Sequence, residues 1–200
     1  MDMLTDEQLM EQLKKGERDV IDELYKRYSK KLYAFCCNIT HVKDPEDLVQ
    51  DVFVRVIEAA HSFNAKKASF STWIFRIARN RCIDFIRHEE KIKFISIEEK
   101  ARQDDGKEHF NPKDTIVNAR VDVEEMVVKT SVIEAVRECI SKIEDEAEKH
   151  AILLYYISDK SYREIGKILG KSTSMARNHV KSAQEKVKRC LEQKGIDSLA

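Results

Sequence analysis

Breakers are scarce in this 200-residue chain, with two prolines and five glycines in all. Long helices are the expected product, and a turn-rich β fold is disfavoured. No apolar run approaches the roughly 20 residues that cross a bilayer. The opening residues Met1 to Leu13 carry Asp2, Asp6, Glu7 and Glu11 and no apolar stretch, so neither a signal peptide nor a membrane anchor is expected. The five cysteines (Cys36, Cys37, Cys82, Cys139 and Cys190) are odd in number and lack CxxC spacing. Most fall at apolar helix positions, which predicts reduced thiols in a cytoplasmic protein, with Cys36 and Cys37 filling core rather than sensing redox state. The six histidines are scattered, and there is no His/Cys cluster of ligand spacing, glycine-rich phosphate loop or arguable Ser/His/Asp set. An enzyme, a metal site and a bound cofactor are therefore not expected, and no residue is a catalytic candidate.

Net charge is missing too, since Lys+Arg and Asp+Glu both number 36. That balance hides a segregation. From His61 to Lys93 there are eight basic against three acidic residues, and from Lys160 to Arg189 nine against two. Between them, Glu98 to Lys149 holds nine against fifteen. Two basic patches separated by an acidic stretch describe a chain that meets a polyanion at two places, although charge runs are also common on plain solvated helix faces.

The stretch Phe70 to Arg87 is the most informative. At helical period it places Ile74, Ile77, Ala78, Cys82, Phe85 and Ile86 on a broad apolar arc, and Trp73, Arg76, Asn80, Asp84 and Arg87 on a narrow opposite stripe. The only tryptophan thus stands in line with arginines and an amide, groups that stack on and hold unpaired bases. A tryptophan capping a core edge is the plainer alternative. Upstream, residues 6–15 and 17–39 read as helices broken near Gly16. Asp44 and Pro45 open a third helix that turns Val49, Val52, Phe53, Val56 and Ala60 inward and leaves Asp47, Gln50, Asp51 and Arg55 outward. The loop 62–69 brings Lys66 and Lys67 next to Trp73.

Gly106, Pro112, paired acids and the loss of periodicity mark 96–121 as a linker. A helical period returns over 122–143, with Val123, Met126, Val127, Ile133, Val136 and Ile140 apolar, and 147–157 reads as a strongly apolar helix. Ser161 and Glu164 form a capping box, Gly170 suits a left-handed stop, and Gly166 implies a close helix crossing. A second helix from about Ser172 follows, the geometry of a helix-turn-helix. Its inner seam is Ala176, Val180, Ala183, Val187 and Leu191. Its outer face, with Ser174, Arg177, Asn178, Lys181, Ser182 and Lys188, suits a major groove.

Three segments carry a resemblance: Asp47-Leu-Val-Gln-Asp-Val-Phe53, Phe70-Ser-Thr-Trp-Ile-Phe-Arg-Ile-Ala-Arg-Asn80 and Ser161-Tyr-Arg-Glu-Ile-Gly-Lys-Ile-Leu-Gly170. In this order and separation the chain resembles a bacterial RNA polymerase sigma factor of the extracytoplasmic-function (ECF) group, over about residues 8–192. The resemblance implies an all-α protein of two small helical domains joined by a flexible linker: a region 2-like domain (1–95), the linker (96–121), a region 4-like helix-turn-helix domain (122–192) and a tail (193–200). It also implies binding to core RNA polymerase, promoter recognition and melting, no catalytic centre, and an anti-sigma factor as a further partner.

By the same resemblance, Asp47, Gln50 and Asp51 would dock on the polymerase, and Asn64, Lys66, Lys67, Ser69, Trp73, Arg76, Arg79 and Asn80 would capture the melted minus-ten element. Lys171, Ser172, Thr173, Ser174, Arg177, Asn178, Lys181 and Ser182 would read the minus-thirty-five element of promoter DNA. Gly166 stands where the family usually has alanine. A stand-alone helix-turn-helix repressor, with residues 1–95 sensing or dimerising, is the competing reading, but it leaves the aromatic-basic stripe unused.

Overall fold

A computed structural model describes the backbone of residues 4–100 and 123–196, and the side chains of 4–92 and 131–196. Eight α-helices run in order among the described residues: α1 (Asp6–Lys14), α2 (Val20–Thr40), α3 (Glu46–Glu58), α4 (Phe70–Lys100), α5 (Val123–Ser141), α6 (Glu146–Tyr156), α7 (Tyr162–Leu169) and α8 (Thr173–Gln193). The all-α expectation holds. Local chemistry fixes most of the ends. Thr5 and Gln8 form a capping box at the start of α1, and Gly16, at φ +94°, turns the chain into α2. Asp145 caps α6, Ser161 and Glu164 form the expected box on α7, and Gly170 ends α7 in the left-handed conformation at φ +66°.

Helices α1–α4 close around Leu24, Leu32, Phe35, Val52, Phe70 and Phe75, all fully buried. Phe35 meets Phe75 edge-on at 5.4 Å, and Tyr28 meets Phe70 at 5.2 Å. The inward set predicted for α3 is buried, and Asp47, Gln50, Asp51 and Arg55 are exposed. In the second half, α6, α7 and α8 pack around Leu153, Leu154, Ile165, Ala176, Val180 and Ala183. The glycine at 166 is needed there, because a Cβ on it would lie 2.8 Å from the Lys171 carbonyl oxygen.

Four expectations change. Trp73 is buried, at 6% exposure, not on an outward stripe. Helix α4 continues to Lys100, five residues into the stretch read as linker; residues 101–121 lie outside the described part, as do 197–200 of the tail. Ile133, placed on the core side of α5, is 52% exposed, while the side chains of Val123, Met126 and Val127 are not among those described. Cys139 and Cys190 are joined in a disulfide, where all five cysteines were expected reduced. Cys36 and Cys82 are buried thiols, and their mutual hydrogen bond together with burial pushes the Cys82 thiol far up. The two halves also pack on each other, so that buried residues from both form one continuous apolar cluster.

Candidate nucleic-acid interface

The loop before α4 is built to hold a cavity open. Phe63 is buried at its base, and Asn64 braces the turn, its side-chain oxygen accepting from the Lys66 amide at 2.9 Å and its carbonyl from the Lys67 amide at 2.9 Å. That turn leaves both lysines exposed. Ser69 caps α4 by accepting from the Thr72 amide at 3.2 Å, so its hydroxyl has a structural task before any contact with a ligand. Trp73 then packs on Phe63 at 5.3 Å and on Phe70 at 6.1 Å. The indole is covered by this loop, which helical periodicity alone does not reveal. One side of it still lines a cavity of about 400 Å³ together with Phe63, Asn64, Lys67 and Arg76. An aromatic wall with an amide and two cations is a fit for a planar base and its phosphate. Arg76 and Asn80 are exposed on α4 as predicted.

One residue at this cavity comes from the other half of the molecule. Lys167 of α7 lines the same cavity and donates to the Lys67 carbonyl at 2.7 Å. Thr72 donates to Glu164 at 3.1 Å. Lys160, only 6% exposed, donates to the Ser71 hydroxyl and sits 5.4 Å from the Phe75 ring centre, and burial lowers its pKa. Burial raises the Glu164 carboxyl, but hydrogen bonds from the Ser161 side chain and backbone, with Lys160 nearby, leave it below its ordinary value. Arg79, half-buried rather than presented outward, donates from Nε to His150 Nδ1 at 3.1 Å. Burial and the Arg79 charge push His150 down to about 4, and burial lowers Arg79 as well. Lys31 and Asp159 add an exposed ion pair at 2.7 Å. Sequence reading missed Ser71, Thr72, His150, Lys160 and Lys167 as a set, because nothing local announces a contact between residues about 90 positions apart.

Two further faces lie apart from the cavity. On α3, Asp47, Gln50 and Asp51 are exposed with Val54 half-exposed in the same row, and Asp51 is ion-paired with Arg81 of α4. At the other end, Lys171, Ser172, Thr173, Ser174, Arg177, Asn178 and Lys181 are exposed along the start of α8, and Ser182 is half-buried. The Ser172 hydroxyl accepts from the Met175 amide at 3.2 Å, so it caps the helix. Folding also brings Asp145, Glu148 and His179 together with candidate ligand atoms within 4.8 Å of one another, a group the sequence reading did not anticipate. Asp145 already caps α6 and Glu148 already accepts from Lys186 at 2.6 Å, so the arrangement is accounted for as a charged helix start.

Residues 24–92 match the family model for sigma-70 region 2, and residues 133–187 match that for sigma-70 region 4. The chain is 29% identical to the ECF RNA polymerase sigma factor SigW of Bacillus subtilis, over 91% of its own length and 94% of the relative's. It is 27% identical to the ECF RNA polymerase sigma-E factor of Escherichia coli, over 93% and 94%. The chain is a sigma factor of the ECF group. Among solved structures, CnrH in complex with the cytosolic domain of CnrY shares the fold of this sigma factor at a TM-score of 0.65 and 20% identity, over 92% of this chain and 96% of that one. The sigma factor RpoE in complex with the anti-sigma factor NepR, from Bartonella quintana, shares it at 0.64 and 19%, over 86% and 96%. As a sigma factor the protein serves RNA polymerase in promoter-directed initiation, and the stand-alone repressor reading falls away. No described helix is long and apolar enough to cross a membrane.

Proposed function

We propose that the cavity at the start of α4 receives an unpaired base of the minus-ten element. Trp73 and Phe63 supply the apolar wall, Asn64 the hydrogen-bonding edge, and Arg76 and Lys67 the countercharge. Lys66, Ser69 and Asn80 lie along the path of the same strand, and Arg79 joins them once it leaves His150. Asp47, Gln50 and Asp51 form the face that docks on core polymerase. The α8 face reads the minus-thirty-five element, with Arg177 and Asn178 toward base edges and Lys171, Thr173, Ser174 and Lys181 toward phosphates; Ser172 and Ser182 serve it by holding the helix start and its flank. Residues 1–95 carry polymerase docking and minus-ten binding, and residues 122–192 carry minus-thirty-five binding. The protein works in the cytoplasm without a catalytic centre, and an anti-sigma factor is a further partner, as in the complex of RpoE with the anti-sigma factor NepR.

The observation that carries this reading is the cavity itself, with an aromatic wall and two cations at one opening. Because Lys167 lines it and donates to the Lys67 carbonyl, a base entering it meets the Lys167 side chain. The test is promoter opening by core polymerase reconstituted with the full chain. Arg76→Ala and Asn64→Ala should each lower the yield of melted promoter about tenfold or more, with initial duplex binding held within about twofold, since a contact with an unpaired base is worth roughly 1–3 kcal/mol. Equal losses in both steps, or no loss in either, would refute the assignment.

A further inference from the structure

The disulfide joins Cys139 of α5 to Cys190 near the end of α8, 51 positions apart in sequence and 5.7 Å between Cα atoms. Among the described side chains of α5 Cys139, at 2% exposure, is the only buried one; Val132, Val136 and Ile140 are half-buried and Ile133 is mostly exposed. The neighbouring ion pair from Glu138 to Lys194, 2.7 Å long, has both partners well exposed and contributes little. The sulfur link is therefore a covalent clasp between the first helix of this half and the far end of its last, added to the packing of α5 on α8.

Two of the other three cysteines are set differently, while Cys37 is half-buried like Cys190. Cys36 and Cys82 are fully buried, and the Cys82 thiol is pushed up, so both are inert. Cys190 is half-buried, hence reachable by a small molecule. In a reducing compartment, such as the one proposed above, a protein disulfide is more often a reversible device than a permanent staple.

We propose that Cys139 and Cys190 are a reversible redox modification site, oxidised by small-molecule disulfides of the cellular thiol pool, and that the link tightens the hold on the α8 reading helix. The effect on promoter reading rests on the assignment of α8 to the upstream element. In the forward step the Cys190 thiolate attacks a sulfur of the small disulfide and expels one small thiolate, forming a mixed disulfide. The Cys139 thiolate then attacks Cys190 Sγ and expels the second. Two electrons pass to the small disulfide, and the two thiol protons end on the two small thiols released. Excess small thiol runs the sequence backwards, entering at the more accessible Cys190.

The experiment equilibrates the full chain in glutathione buffers of graded reduced-to-oxidised ratio. It traps free thiols with an alkylating reagent for mass determination, and measures thermal unfolding and binding to a minus-thirty-five duplex at each ratio. Cys139 and Cys190 should change state together across the series while Cys36 and Cys82 stay unlinked. The linked form should melt on the order of 10 °C higher and bind the duplex at least about fivefold more tightly. Cys190→Ala should remove the redox dependence of both readouts, and reduction followed by reoxidation of the unsubstituted chain measures the same change without relying on a variant's folding. A pair that stays linked in excess reduced glutathione, one that never links, or a link that moves neither readout would overturn the proposal. If the pair titrates and the melting point shifts while neither form binds the duplex, the redox site stands and the assignment of α8 fails.

Discussion

Acidification should weaken the seam between α4 and α6, with His150 as the reporter. His150 is almost wholly buried, its Nδ1 accepts from Arg79 Nε at 3.1 Å, and its pKa lies near 4 against an ordinary 6.5. A proton on Nδ1 would end that acceptance and set an imidazolium against a guanidinium with Lys149 nearby; Asp145 opposes this only in part. Because the folded pKa is the lower one, the unfolded chain binds the extra proton first. The contribution is fully present above about pH 6.5 and is lost as pH falls toward 4. At pH 5 the two titrations differ by about 2 kcal/mol. Urea unfolding of the full chain, followed by the fluorescence of Trp73, should show this loss between pH 7 and pH 5. His41 is also lowered by burial, so the informative quantity is the difference from His150→Gln, which keeps an acceptor for Arg79 but does not titrate. The substituted chain should lose about 2 kcal/mol less over that interval. Equal acid sensitivity of both chains would mean that His150 is hydrated or displaced from Arg79, and the account of the seam would be wrong.

Replacing Asp47, Gln50 and Asp51 together by alanine should abolish capture by core polymerase in a pull-down and move stability by less than about 1 kcal/mol, since the side chains are exposed and the Asp51 pair with Arg81 is at the surface; unchanged capture would remove the docking role. Gly166→Ala should gain about 1 kcal/mol in helix propensity. It should lose more than that, about 1–3 kcal/mol, to a Cβ lying 2.8 Å from the Lys171 carbonyl oxygen and 3.3 Å from the Ser172 carbonyl carbon. A net fall in melting temperature with weaker upstream-duplex binding is expected, and a rise would show that the turn can give way.

Local patterns settled a good part of this protein in advance. The spacing of apolar residues and the capping residues Ser161, Glu164 and Gly170 depend on neighbours within a turn or two, so the number of helices, the outward face of α3 and the helix-turn-helix could be read without coordinates. Gly166 was legible for the same reason, as a cost inside a helix that only a close crossing explains. What periodicity reports is the direction a side chain takes from its own helix axis, not what arrives to cover it. Trp73 lies off the main apolar arc of α4 and is nevertheless buried, because the loop residue Phe63 folds over it. Ile133 carries an apolar signal and remains 52% exposed, since periodicity does not say whether a partner arrives to cover it. The disulfide and the contacts of Lys160, Glu164 and Lys167 with α4 and its preceding loop join positions from 51 to 100 residues apart, whose meeting is set by the packing of whole helices rather than by any local preference. The sequence therefore determined the helices and the kinds of surface they offer, and tertiary packing decided which residues of the two halves meet, Lys167 at the cavity among them.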